Sequence, residues 1–153
     1  MRSLEPWVEA PLTTFLAESG ARITLLMTSS GQVVAQHGFT HSLDVMSAAA
    51  LGAGIMAATG ELARVMGSRP LDAVVHQGTG LGIHLAAFDT PRGRWLGLVV
   101  YGKETSLGLV QLFFGRLADD LGRAAPAEPA ARQVLAEDFE KELNSSLRSL
   151  FGR

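Results

Sequence analysis

The sequence contains no cysteine. That excludes disulfides, thiolate metal sites and cysteine nucleophiles. Charge is also sparse: 18% of residues are charged, against about 25% in ordinary soluble domains. The formal net charge is only -2, so there is no basic field to hold nucleic acid or anionic lipid. No uninterrupted apolar run approaches the roughly 20 residues of a membrane span. The start, MRSLEPWVEAPL, has an acid and prolines where a signal sequence is basic and then apolar, so a cytoplasmic location is expected. What is present is apolar bulk. Of 153 residues, 47% are hydrophobic, and the mean hydropathy is +0.21. This length fits one domain, or one domain with an appended segment. The apolar surplus points to surface buried against another chain.

The chain punctuates itself clearly. Pro6 to Ser19 reads as a helix, with Trp7 or Val8, Leu12, Phe15 and Leu16 on one face and Gly20 as its stop. ARITLLMT and QVVAQHG read as a hairpin around Ser29-Ser30-Gly31. The first of these runs is nearly continuously apolar, as in a strand covered on both faces. A long helix follows, capped by Ser42, with Asp44 near its positive end, and ended by Gly67. LDAVVHQG, LGIHLAAFDT and RWLGLVVYGK read as three strands joined by short turns, hence antiparallel. Thr105 is expected to cap a helix with Leu107, Val110, Leu112, Phe113, Phe114 and Leu117 on its apolar face. The order α-β-β-α-β-β-β-α predicts an α+β sandwich around a five-stranded, mostly antiparallel sheet. This domain spans residues 1–123. Residues 124–131, with two prolines, read as a linker, and residues 132–153 as a tethered amphipathic helix. Leu135, Phe139, Leu143, Leu147 and Leu150 or Phe151 form its narrow stripe. A helix of that length is marginal alone and needs somewhere to dock.

No catalytic or metal-binding constellation assembles from the residue types. The histidines are His37, His41, His76 and His84, and only Asp44 is an acid near the first pair. A metal site needs a third ligand and a second shell, so surface or packing roles are expected. Gly78-Thr79-Gly80-Leu81-Gly82 is glycine-rich but leads into another strand, so no helix N-terminus meets a phosphate. Gly97 to Lys103 resembles a phosphate-binding loop, but Glu104 stands where Ser or Thr is required. There is no G-x-S-x-G elbow. Neighbouring acids such as Asp119-Asp120 and Glu137-Asp138 point to different helix faces. No cofactor and no metal is expected.

The long helix carries the strongest signal. Ala49, Ala50, Gly52, Ala53, Gly54, Ala57, Ala58 and Gly60 crowd its middle. Each glycine costs a helix about 1 kcal/mol relative to alanine, and close approach to another backbone is the obvious compensation. Two readings are open. The helix packs tightly on its own sheet, or it gives one face to the sheet and another to a partner chain. Ala50, Ala53, Ala57, Gly60, Glu61 and Arg64 lie along one stripe, flat enough to receive a second protein. The length and the ring of small residues favour that second reading.

Three stretches carry a resemblance. AALGAGIMAATGELARVMG, VVHQG and TSLGLVQL, taken with the element order and the hairpin ARITLLMTSSGQVVAQ, resemble the roadblock/dynein light chain family, and within it the bacterial gliding-motility members. The resemblance covers roughly residues 20–121. Ile55 stands where the family often has Asn, and His-Gln-Gly replaces the commoner His-Glu-Gly. The resemblance implies a homodimer formed through the long helix and the third of the five strands, placing Gly52, Ala58, Val74, Val75 and His76 at the interface. It implies a partner, a small Ras-like GTPase of the MglA type, bound on the paired long helices. Ala53 and Ala57 would face it, with Ala50, Gly60, Glu61 and Arg64 beside them by helical spacing. It further implies that the GTPase is reorganised without an inserted catalytic residue, in a cell-polarity or gliding-motility setting. The C-terminal segment would reach the GTPase and assist exchange through Leu143, Leu147, Leu150 and Phe151. The competing reading is a roadblock scaffold that assembles a multiprotein complex without changing GTP turnover.

Overall fold

The computed structural model describes the backbone of residues 1–126 and 130–151, and the side chains of 1–126 and 140–150. In chain order the elements are β1 (Arg2–Ser3), α1 (Pro6–Ser19), β2 (Ile23–Thr28), β3 (Val33–His37), α2 (Ser42–Val65), β4 (Ala73–Gln77), β5 (Gly82–Thr90), β6 (Gly93–Tyr101), α3 (Leu107–Ala124) and α4 (Ala130–Phe151). The strands form one sheet in the order β1-β3-β2-β6-β5-β4, and every neighbouring pair is antiparallel. The α+β class read from the sequence holds. The sheet has six strands rather than five, because Arg2 and Ser3 pair with Gln36 and Ala35 at the edge. Two residues carry no periodicity, so nothing in the sequence marks them as a strand.

The sheet is sandwiched. Strand β2 shows why: its side chains alternate, so Leu26 joins the core under α1 and α3, while Leu25 and Met27 join the core under α2. On the first face Val8, Leu12 and Phe15 of α1 meet Val110, Phe114, Leu117 and Leu121 of α3. Phe114 centres an aromatic cluster, edge-on to Phe88 at 5.4 Å and to His84 at 5.3 Å. Gly97 of β6 makes room for that ring, because a Cβ there would overlap Phe114. On the other face α2 lies over Leu25, Met27, Leu85 and Leu96, the one element packed there among the described residues.

Three local expectations need correction. Helix α2 begins at Ser42 itself; His41 occupies the cap position in extended conformation and no side chain caps it. Ser106, not Thr105, caps α3, its hydroxyl accepting the Leu109 N–H. Leu112 is half-exposed, because the buried stripe of α3 is Val110, Phe114, Leu117 and Leu121, spaced four, three and four apart. By contrast α1 covers the expected residues, and Gly20 ends it at φ 68° with its N–H on the Leu16 carbonyl. Helix α3 runs through Ala124 and α4 starts at Ala130, so both enter the segment read as a linker, of which residues 127–129 lie outside the described ones.

Two consequences are measurable. Gly97→Val drives a branched side chain into Phe114 and should cost about 2 kcal/mol, seen as a lower urea midpoint with unchanged slope. His84 is buried, and burial lowers its pKa below the ordinary 6.5. The unfolded chain therefore takes up a proton first. Stability should be full above pH 6.5 and decline as pH falls below it. His84→Leu should remove that part of the pH dependence, read from urea midpoints between neutral and mildly acidic pH.

Candidate functional site

The residues that the sequence offers for chemistry lie apart in the structure. Among the described residues no three of His, Cys, Asp and Glu gather as metal ligands. His76 lies on the edge strand β4 while His84 is buried in β5. The glycine-rich Gly78–Gly82 stretch is the β4–β5 turn, closed by the Gly78 N–H on the Leu81 carbonyl. Gly97 to Tyr101 is strand β6. At its end Arg22 donates from Nε and Nη2 to the two oxygens of Glu104, at 2.7 and 2.9 Å. That pairing holds the Glu104 carboxyl at about 2, so it stays ionised and engaged with Arg22 rather than free for a ligand.

Surface remains, and α2 supplies it. Of its 24 residues the buried ones are Val45, Ala49, Gly52 and Ala63. Leu43 is 74% exposed and Val65 73%, values far from those of a core helix. By length and composition α2 could cross a membrane. Here it is seated on the sheet by its four buried positions, with Ala48, Ala53 and Met56 half-buried against the same core and Leu43, Met46, Leu51, Leu62 and Val65 exposed among the described residues.

The glycines of α2 separate into two kinds. Gly52 turns inward, where a Cβ would lie 3.1 Å from Cε of Met27. Around Gly54 and Gly60 there is open space. Gly52, expected at a dimer interface, packs closely on its own sheet and also lines a groove beside it. No contact among the described residues explains the other two.

Helical spacing of 100° per residue divides the uncovered surface into two flanks. One flank holds Ala50, Ala53, Ala57, Gly60, Glu61 and Arg64. All are exposed except Ala53, which is half-buried beside the hairpin glycine Gly31. Glu61 and Arg64 pair with each other at 2.9 Å across one turn, so this flank presents small side chains and a self-neutralised pair.

The other flank borders a groove of about 440 Å³. Ala48, Leu51, Gly52 and Ile55 form its helical wall. Its floor is a row across the sheet, Ile23 opposite Val100, Val100 opposite Ile83, and Ile83 opposite His76. Strand β4 ends the sheet, so its outer backbone groups face no strand among the described residues. Val74 shares the α2 side with His76, being opposite Leu85. Val75, opposite His84, points to the other face and is exposed. Ala58 is exposed on α2, outside the groove. The groove thus unites Gly52 and His76 and leaves Ala58, Val74 and Val75 around it. The sequence reading missed Leu51, Ile55, Ile83 and Val100. All four sit in apolar runs, where nothing distinguishes a covered residue from an uncovered one.

On α4, residues 140–150 are all exposed, Leu143, Leu147 and Leu150 included. The side chains of Leu135, Phe139 and Phe151 lie outside the described residues.

No protein-family model matches the sequence, and no curated protein does. Solved structures do match. MglB of Myxococcus xanthus superposes with a TM-score of 0.68 at 27% identity, over 78% of this chain and 95% of that one. The gliding protein MglB from Thermus thermophilus gives 0.67 at 30% identity, over 78% and 88%. A structure described as MglB with tetrameric arrangement gives 0.66 at 30% identity, over 77% and 87%. A roadblock/LC7 domain from Streptomyces avermitilis shares the fold, with a TM-score of 0.60 at 16% identity over 70% and 88%. With the expected architecture in place and 30% of the aligned residues identical to the Thermus protein, the chain belongs to the roadblock family and has MglB among its relatives.

Proposed function

We propose that the chain is a homodimeric, cytoplasmic regulator of a small Ras-like GTPase of the MglA type. The observation that supports this best is the flank of α2 carrying Ala50, Ala53, Ala57 and Gly60. It is largely exposed and has small side chains, and only Ala53 among them packs inward, half-buried beside Gly31. Such a surface lets another backbone come close, because helix separation follows the bulk of the side chains between. The regulator contributes no catalytic residue. It binds the hydrolysis-competent arrangement of the GTPase more tightly than the others and so raises its population. Glu61 and Arg64 flank the contact. The leucines of α4, with Phe151, reach the same GTPase and assist nucleotide exchange.

Dimerisation uses the opposite flank. The apolar groove beside β4 takes the matching helix of a second copy, and the edge strand continues the sheet across the pair. The dimer associates further, as a relative with tetrameric arrangement does. Separating the two flanks lets one helix serve both partners at once.

The defining measurement is GTP hydrolysis by the cognate GTPase with and without this protein. Ala57→Arg, at an exposed position, should lower the stimulation at least tenfold while melting temperature and molecular mass stay unchanged; Ala53→Arg should lower it as much but also lower the melting temperature, because Ala53 is half-buried against the core under α2. Full stimulation by both variants would move the contact elsewhere. Binding without any change in turnover would identify a scaffold instead. Ile55→Glu places a charge in the groove and should halve the molecular mass in light scattering.

A further inference from the structure

The groove beside α2 contains a single polar side chain. His76 lines it, and every other lining residue is apolar. The alternation of β4 turns His76 toward α2, with Val74, while Val75 and Gln77 turn to the other face. His76 is exposed. Among the described residues its ring has no hydrogen-bond or ion-pair partner.

No charged or titratable group shares the groove with it. Strand β5 presents Ile83, directly opposite His76. Helix α2 presents Leu51 and Ile55, and β6 presents Val100. Glu61 and Arg64 lie on the opposite flank of α2 and pair with each other. His84 is buried on the other face of the sheet, against Phe114. His37 ends β3 and His41 precedes α2, and neither lines the groove.

We infer that His76 makes the pairing of two copies depend on pH, because a single copy accepts a proton there and the pair does not. The inference rests on the groove-mediated dimer proposed above and names its regulation. A second copy's helix over the groove takes His76 out of water and into surroundings of carbon. Burial penalises the charged form of an imidazole, and nothing on the walls of this groove offsets that penalty. Imidazole is the side chain whose charge changes between about pH 5 and 8, so the effect falls in the range a cell can reach. In that range separated copies bind more protons than the pair does. Falling pH therefore favours separation, and rising pH restores the pair. Each dimer contains the ring twice, which makes the dependence steeper than one histidine would. Acidification thereby parts the two long helices on which the GTPase contact is proposed to form.

Sedimentation of the full chain over a dilution series, at about pH 7.5 and about pH 5.5 and constant ionic strength, tests it. The dimer dissociation constant should rise at least about tenfold at the lower pH. His76→Leu should remove that rise and leave a dimer at least as tight as the wild type at the higher pH. His84→Leu, which takes away the other buried imidazole, should keep the full rise, so that loss of folded protein is not its source. A dissociation constant equal at the two pH values overturns the inference and leaves the dimer standing. Tighter pairing in acid overturns it as well, since it would place a carboxylate of the second copy against His76. So does a rise that survives in His76→Leu. A wild type of one copy at both pH values, or an Ile55→Glu variant that still pairs, overturns the groove-mediated dimer itself and the inference with it.

Discussion

The sheet has two apolar faces and unequal means of covering them. Helices α1 and α3 pack side by side on one face and close it, with Phe114 at the centre of an edge-to-face aromatic cluster. Among the described residues the other face has α2 alone. One helix about 10 Å wide cannot cover strands spaced about 4.8 Å apart across the full sheet. The row from Ile23 to His76 is left open, as are both flanks of α2. The low charge content and positive mean hydropathy are the sequence-level trace of this shortfall, because residues that would ordinarily be solvated are apolar instead.

The seat of α2 is narrow for a physical reason. Small residues at Ala49 and Gly52 let the helix axis settle close above Leu25, Met27 and Leu96. The close approach fixes the helix with few contacts and leaves most of its circumference free. A bulkier contact face would hold it more broadly and raise it off the sheet, changing the depth of the grooves on either side. Tight seating on the inside and a low profile on the outside therefore come from the same composition, read at different angles around one helix.

Much of this was legible from residue order. Gly20, the Ser29-Ser30-Gly31 turn, Thr79-Gly80 and Pro91-Arg92-Gly93 punctuate the chain so sharply that the helices and five of the strands follow. The apolar surplus and the small-residue run also single out α2 correctly as the unusual element. What was not legible depends on geometry beyond one element. Gly52, Gly54 and Gly60 look alike in sequence, and only the position of Met27 tells the first from the others. Leu112 and Phe114 are equally apolar, and the packing of α3 on Gly97 decides which is buried. Strand β1 exists because β3 offers it an edge, a cause that lies far along the chain, at Ala35 and Gln36. Ser42 and Ser106 are the same residue type in similar settings, yet only Ser106 turns its hydroxyl onto the helix.

The uncovered face also bears on how the protein behaves when it is scarce. If the open face is covered by a second copy, as proposed, the chain has no single free energy of unfolding, since each association stabilises the folded form by mass action. Dilute, newly made or unpaired copies would sit lowest on that scale. They would also expose the apolar row of the sheet and the open edge at β4, which are the features that invite non-native strand pairing and draw chaperones and proteases. The cell would then hold the paired form in excess of the single chain, with surplus copies removed rather than stored, so that abundance would be set partly by assembly.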